Sequence, residues 1–131
     1  MNKRFLITAA VFGALAVAAG AFLAHQLKQI MPPSAVEVYE TAVRYQFYHV
    51  FALLVCGILA EKFAGTQIKR AGLFFTLGIF LFSGSLYTIA GLITGNMQVP
   101  IVLGILTPLG GLSFILGWVF LTVAVSTERR S

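Results

Sequence analysis

Chemically active side chains are scarce in this chain, and most of them fall in the segment Arg44-Tyr45-Gln46-Phe47-Tyr48-His49. His49 and the other histidine, His25, are candidates for proton transfer, because imidazole titrates near neutral pH. They are a weak basis for a metal site, since no carboxylate or thiolate is well placed beside them. Arg44 offers a positive charge for an anion or a lipid head group. Glu40 precedes it by four residues, however, which is the spacing of an ion pair along a helix.

A second group of polar residues lies in a later apolar stretch. Together the two groups form a candidate polar cluster within the membrane, which comprises His25, Arg44, Tyr45, Gln46, His49, Ser83, Ser85 and Tyr87. The chain contains no GxSxG or HExxH motif, no phosphate-binding loop and no dinucleotide fingerprint. We therefore assign no catalytic residue, no metal site and no cofactor, and the sequence does not establish an enzyme.

The composition explains why these polar groups need a special environment. Of the 131 residues, 59% are hydrophobic and only 10% are charged, whereas a soluble domain carries about 25% charged residues. The net charge of +5 does not indicate nucleic-acid binding, because the lysines and arginines fall at the ends of apolar runs. Cys56 is the only cysteine, so an internal disulfide is excluded. The natural solvent for such a chain is a lipid bilayer.

Four apolar runs are long enough to cross a bilayer, which takes about 20 helical residues. We predict a single all-α domain, a compact bundle of four transmembrane helices that cover residues 5–24, 41–60, 71–93 and 108–126. The first run follows Lys3 and Arg4 and contains Ala19-Gly20-Ala21, which is also the layout of a signal peptide. Its length favours a helix that is retained.

The positive charges predict the orientation of the bundle. With the N-terminus inside the cell, the cytoplasmic segments contain Lys3, Arg4, Lys62, Lys69, Arg70, Arg129 and Arg130. The opposite side contains Lys28 and Arg44. This bias predicts that both termini are cytoplasmic.

Two helix starts can be predicted from local signals. Pro32-Pro33 ends any continuation of the first helix, and Ser34 with Glu37 has the spacing of a capping box for the second. For the fourth helix we favour Thr107 as the N-cap with Pro108 in the first turn. Residues 99–106 would then lie at the outer interface or re-enter the membrane. The alternative is one long helix from Val99 with a kink at Pro108.

The faces of the second helix are expected to differ in polarity and in what surrounds them. At 100° per residue, a polar stripe and a neighbouring stripe with Gln46 and His49 cover much of its surface. The third face is apolar and is expected to meet lipid; it contains Val36, Val43, Phe47, Val50 and Leu54. Glycines at helical spacing predict close packing between helices; they are Gly13, Gly20, Gly84, Gly91, Gly110 and Gly117.

Five blocks of residues, spread in order over nearly the whole chain, resemble a known family. They are Gly20-Ala21-Phe22-Leu23-Ala24-His25 with Lys28, Thr41-Ala42-Val43-Arg44-Tyr45-Gln46-Phe47-Tyr48-His49, Leu81-Phe82-Ser83-Gly84-Ser85-Leu86-Tyr87, Thr107-Pro108-Leu109-Gly110-Gly111 and Gly117-Trp118. The chain is similar in these blocks to the small membrane proteins of domain of unknown function 423, also called UPF0382. The resemblance implies a bacterial inner-membrane protein with about four spans, and it implies no activity.

Three functions are compatible with these features. The first is a non-enzymatic structural or accessory membrane component, with copies associating through small-residue faces. The second is a small oligomeric transporter or channel with a polar cavity near the outer leaflet. The third is a membrane enzyme acting on lipid or quinone through His25, Arg44 and His49. The lipid bilayer is the one partner that the composition indicates, and nucleic acid is not expected.

Overall fold

The protein is all-helical in the part of the chain that the structure, a computed structural model, describes, residues 1–63 and 65–127. Arg129 and Arg130, which contribute to the predicted orientation, lie outside these residues. The helices are α1 (Lys3–His25), α2 (Pro33–Leu59), α3 (Thr66–Gly78), α4 (Gly84–Thr94) and α5 (Ile101–Ser126). A 3-10 turn, Leu27–Gln29, follows α1, and a π-helical segment, Ile79–Ser83, joins α3 to α4.

Four continuous helical stretches are long and apolar enough to cross a membrane. They run over Lys3–Gln29, Pro33–Leu59, Thr66–Thr94 and Ile101–Ser126. The shortest, with 26 residues, is about 39 Å long and exceeds the ~30 Å hydrocarbon core. The chain is an all-α membrane protein with four transmembrane helices, as predicted. The cytoplasmic placement of both termini stays a prediction.

The predicted start of α2 is wrong in its position and in its capping group. Pro32 is the N-cap residue, Pro33 occupies the first turn, and no side chain caps the helix. Ser34 therefore lies inside the helix instead of capping it. Proline suits the first turn because its φ angle is already helical and its missing N–H has no helical acceptor to lose.

The predicted start of α5 at Pro108 is also wrong, and the alternative of one long helix is correct. The helix begins at Ile101, after the N-cap Pro100, and Pro108 lies inside it. The hydroxyl of Thr107 donates to the carbonyl oxygen of Leu103 at 3.2 Å and lies 2.6 Å from the Ser85 hydroxyl oxygen. Pro108 lacks the N–H that would donate to the carbonyl oxygen of Gly104 four residues earlier, and membrane helices tolerate such an internal proline.

The second and third spans occupy the centre of the bundle, and α1 and α5 flank them. Phe12 of α1 meets Phe80 of the π-helical segment edge to face, with ring centroids 5.1 Å apart. On the other side, Phe114 of α5 stacks on His49 of α2 with centroids 3.5 Å apart. These contacts leave two lateral grooves, one between α1 and the third span and one between α2 and α5.

Glycines on α5 let that helix approach the third span closely. A β-carbon at Gly110 would lie 2.8 Å from Cα of Phe82, and one at Gly117 would lie 2.6 Å from the Phe75 ring.

The glycines of α1 and α4 differ from those of α5. Gly13 and Gly20 of α1 face Val50 and Val43 at ordinary contact distances. A β-carbon at Gly84 or Gly91 would have no described atom within 4 Å. For these two, the structure gives no packing role within the chain.

The prediction that the apolar face of α2 with Val43 and Val50 meets lipid is wrong. Val50 is only 3% exposed, and Val43 lies against Gly20. α1 covers this face because its glycines present a flat surface to branched side chains. The exposed side chains along the length of α2 instead include those of Arg44, Tyr48, Phe51, Val55 and Ile58.

Candidate functional site

The residues of the predicted cluster do not share one cavity. Gln46, Ser83 and Tyr87 line the groove between α1 and the third span, whereas Tyr45 and His49 line the groove between α2 and α5. The remaining members lie elsewhere: Ser85 contacts Thr107 of α5, and His25 and Arg44 are exposed. The single polar cavity of the transport hypothesis is therefore divided in two.

Gln46 is the centre of the first group. It lies 13 residues from either end of α2, about 20 Å in each direction; the predicted placement of the cluster near the outer leaflet stays a prediction. Its amide nitrogen donates to the carbonyl oxygen of Phe12 at 2.8 Å. Its amide oxygen accepts a hydrogen bond from the Tyr87 hydroxyl at 2.7 Å. One side chain thus joins α1, α2 and α4 in the middle of the bundle.

Two serines fix the third span beside this group. Ser83, 1% exposed, donates to the carbonyl oxygen of Ala42 at 2.8 Å. The Ser85 hydroxyl oxygen lies 2.9 Å from the carbonyl oxygen of Phe82 and 2.6 Å from the Thr107 hydroxyl oxygen, so its single hydrogen serves one of the two. The π-helical segment ends here, with the backbone N–H of Gly84 donating to the carbonyl oxygen of Ile79. Because a π-turn contains an extra residue, it changes the face that α4 presents relative to α3.

His49 has both ring nitrogens engaged. Nδ1 lies 2.7 Å from the carbonyl oxygen of Tyr45, which can only accept, so Nδ1 carries the hydrogen. The indole N–H of Trp118 donates to Nε2 at 3.1 Å, so Nε2 is unprotonated. This assignment from hydrogen bonding makes His49 a neutral imidazole. Protonation would place a second N–H against the Trp118 N–H and break that bond.

Aromatic rings surround His49 on the side of α5. Phe114 stacks on the imidazole with an interplanar angle of 7°. Phe75 and Trp118 approach it with centroids 5.7 and 5.9 Å away. The adjoining groove has a volume of about 680 Å³, and most of its wall is aromatic or aliphatic. His49 is only 4% exposed; its Nδ1 bonds within α2 and its Nε2 joins α2 to α5 through Trp118.

Arg44 does not form the predicted ion pair with Glu40. The carboxylate of Glu40 lies 3.7 Å from Nζ of Lys28, which reaches it from the 3-10 turn. Within residues 1–63 and 65–127, Arg44 has no carboxylate within 4 Å. Helical spacing brought the two side chains to one face, but a cation from another segment is the closer partner.

Three further polar side chains join helices and were missed by sequence reasoning. The Tyr39 hydroxyl donates to the Ala19 carbonyl oxygen at 2.9 Å, and the Ser113 hydroxyl donates to that of Phe74 at 2.7 Å. Trp118 is the third. The sequence did contain a signal for the role of Trp118, because a lone tryptophan inside an apolar run needs an acceptor for its N–H.

In the described part of the chain, no three His, Cys, Asp or Glu side chains converge as metal ligands.

Comparison with known proteins shows relatives along nearly the whole chain. A family model described as "Protein of unknown function (DUF423)" matches residues 19–111. The UPF0382 membrane protein YwdK of Bacillus subtilis is 42% identical over 93% of this chain and 95% of its own length. The UPF0382 inner membrane protein YgdD of Escherichia coli is 34% identical over 99% of this chain and 95% of its own length. No solved structure matches the chain. The chain therefore belongs to the DUF423 family, whose relatives here are UPF0382 membrane proteins.

Proposed function

We propose that this chain is a non-enzymatic structural or accessory component of the bacterial cytoplasmic membrane. The main observation in support is that its buried polar side chains form hydrogen bonds that join the helices to one another. Gln46, His49 and Ser83 each bond to a group on another helix at 2.7–3.1 Å, and the other ring nitrogen of His49 bonds within α2. Groups used in this way are not available to bind or convert a substrate.

The contribution of these hydrogen bonds to the free energy of unfolding supports the role of a structural component. Seven polar contacts join different helical segments, through Tyr39, Gln46 (two), Ser83, Ser85, Ser113 and Trp118. At about 0.6 kcal/mol for each hydrogen bond within a membrane protein, they contribute about 4 kcal/mol. That is a large share of the marginal stability of a protein of this size, about 5–15 kcal/mol.

Transport would require a different arrangement. A transporter or channel needs polar groups that form a continuous path, and the polar groups described here fall into two separate grooves with mainly apolar walls. The geometry therefore favours the structural function over the transport function.

The placement in the cytoplasmic membrane rests on the distribution of lysines and arginines along the sequence and on the Escherichia coli relative, which is named as an inner membrane protein.

Association of copies of this chain is part of the same proposal. It would use the α4 face, where Gly84 and Gly91 leave open space. Replacement of the exposed Thr88 with cysteine tests it, because facing copies would form a disulfide-linked dimer.

The central experiment compares His49→Leu with Phe51→Leu. His49 is buried and bonded on both sides, whereas Phe51 is 59% exposed on the same helix. We expect His49→Leu to lower the folded yield in size-exclusion chromatography and Phe51→Leu to leave it unchanged. We also expect wild-type proteoliposomes to pass protons and potassium ions no faster than empty liposomes. A His49→Leu variant that folds normally but loses a wild-type flux would contradict the structural function.

A further inference from the structure

A third groove runs between α1 and α2 near their connecting turn, on the side where α2 begins. Its volume is about 450 Å³. Its wall is made of small and aliphatic side chains, those of Gly20, Leu23, Ala24 and Val43. Three charged side chains stand at its edge: Lys28, Glu40 and Arg44. The groove thus combines an apolar wall with a charged rim.

The rim carries an excess positive charge. Lys28 and Glu40 neutralise each other at 3.7 Å, and Arg44 has no carboxylate within 4 Å in the described part of the chain. The next acidic side chain, Glu37, lies seven residues before Arg44 on the same helix, about 10 Å farther toward the helix start. A guanidinium group is therefore left as the binding group of the groove.

The depth of Arg44 makes this charge unusual. It lies 11 residues inside α2 from Pro33, about 16 Å along the helix axis. No other charged residue in the described helices lies so far from a helix end. Its side chain is exposed on the outer surface of the bundle. The long side chain of an arginine in a membrane helix reaches toward the interface, where the phosphate of a lipid is the anion that a membrane supplies.

We propose that this groove binds an anionic phospholipid. Arg44 would hold the phosphate through its positive charge, and an acyl chain would lie along Val43 over the space left by Gly20. A zwitterionic lipid fits less well, because its own ammonium group competes with Arg44 for the phosphate. The inference is independent of whether the protein acts as a scaffold.

Native mass spectrometry of the protein with phosphatidylglycerol and phosphatidylcholine tests the proposal. We expect wild type to retain phosphatidylglycerol preferentially and Arg44→Gln to bind it about fivefold more weakly, since one basic residue near a phosphate contributes about that factor. Arg44→Lys keeps the charge and is expected to keep the preference. The matched control is Arg70→Gln, which removes an exposed arginine at the start of α3 and should have no effect.

Four results would overturn the proposal. One is an unchanged lipid preference in Arg44→Gln. Another is a loss that is equal in Arg70→Gln, which would indicate a general attraction of basic ends for anionic lipid. The third is displacement of phosphatidylglycerol by millimolar inorganic phosphate, which would show that the site binds free phosphate and has no use for the acyl chain. Loss of the preference in Arg44→Lys would equally exclude the charge as its cause.

Discussion

Replacement of Gly110 with alanine is the sharpest test of how α5 meets the third span. A β-carbon at this position would lie 2.8 Å from both Cα and Cβ of Phe82, and its nearest neighbour is the Phe82 backbone nitrogen. A backbone cannot rotate away as a flexible side chain can. The two helices must therefore separate along the contact that includes Phe114 over Gly78 and Phe75 over Gly117.

The expected change in the free energy of unfolding follows from two opposing effects. Overpacking of a well-packed core costs about 3 kcal/mol at the upper end of its usual range, which applies because the obstructing atoms are backbone. Alanine is favoured over glycine inside a helix by about 1 kcal/mol. We therefore expect Gly110→Ala to destabilise the protein by about 2 kcal/mol.

The assay is reversible unfolding with sodium dodecyl sulfate in mixed micelles, followed by the fluorescence of Trp118. Gly111→Ala is the matched control, because it lies next in the same helix and its β-carbon would contact the Phe82 ring at an ordinary 3.8 Å. It gains the same helix propensity without the clash and should be as stable as wild type or more so. Equal stability of the two variants would refute the assigned contact between Gly110 and Phe82.

Further predictions concern the polar core, the helical proline and the orientation. Gln46→Leu removes two interhelical hydrogen bonds and should lower the free energy of unfolding by about 1 kcal/mol; unchanged stability would contradict this. Pro108→Ala removes an exposed ring and adds an N–H for the helix, so its unfolding should require more detergent, and a loss of stability would count against this expectation. A maleimide that cannot cross membranes should label Gln98→Cys, and not Lys69→Cys, from outside the cell, while buried Cys56 stays unlabelled; the reverse pattern would invert the orientation.

Some local features were within reach of sequence reasoning and others were not. Pro33 and Pro108 both fit a first helical turn, and local signals could not distinguish a helix start from a tolerated interruption. Thr107 was predicted to cap the helix, but its hydroxyl contacts Ser85 on another helix and the carbonyl oxygen of Leu103 instead. The same limit applies to Glu40, whose partner Lys28 is closer through the turn than the neighbour four residues along the helix. Both outcomes depend on contacts between different helical segments.

By itself the sequence determined that the chain crosses a membrane four times as α-helices, since long apolar runs in lipid must satisfy their backbone hydrogen bonds internally. It also contained the residues that identify the family. Only the tertiary structure decided which helix faces touch protein and which touch lipid, and that Gln46 and His49 serve different grooves. The physical reason is that lipid and protein interior are equally apolar, so hydrophobic pattern does not separate a buried valine such as Val50 from an exposed one such as Val55.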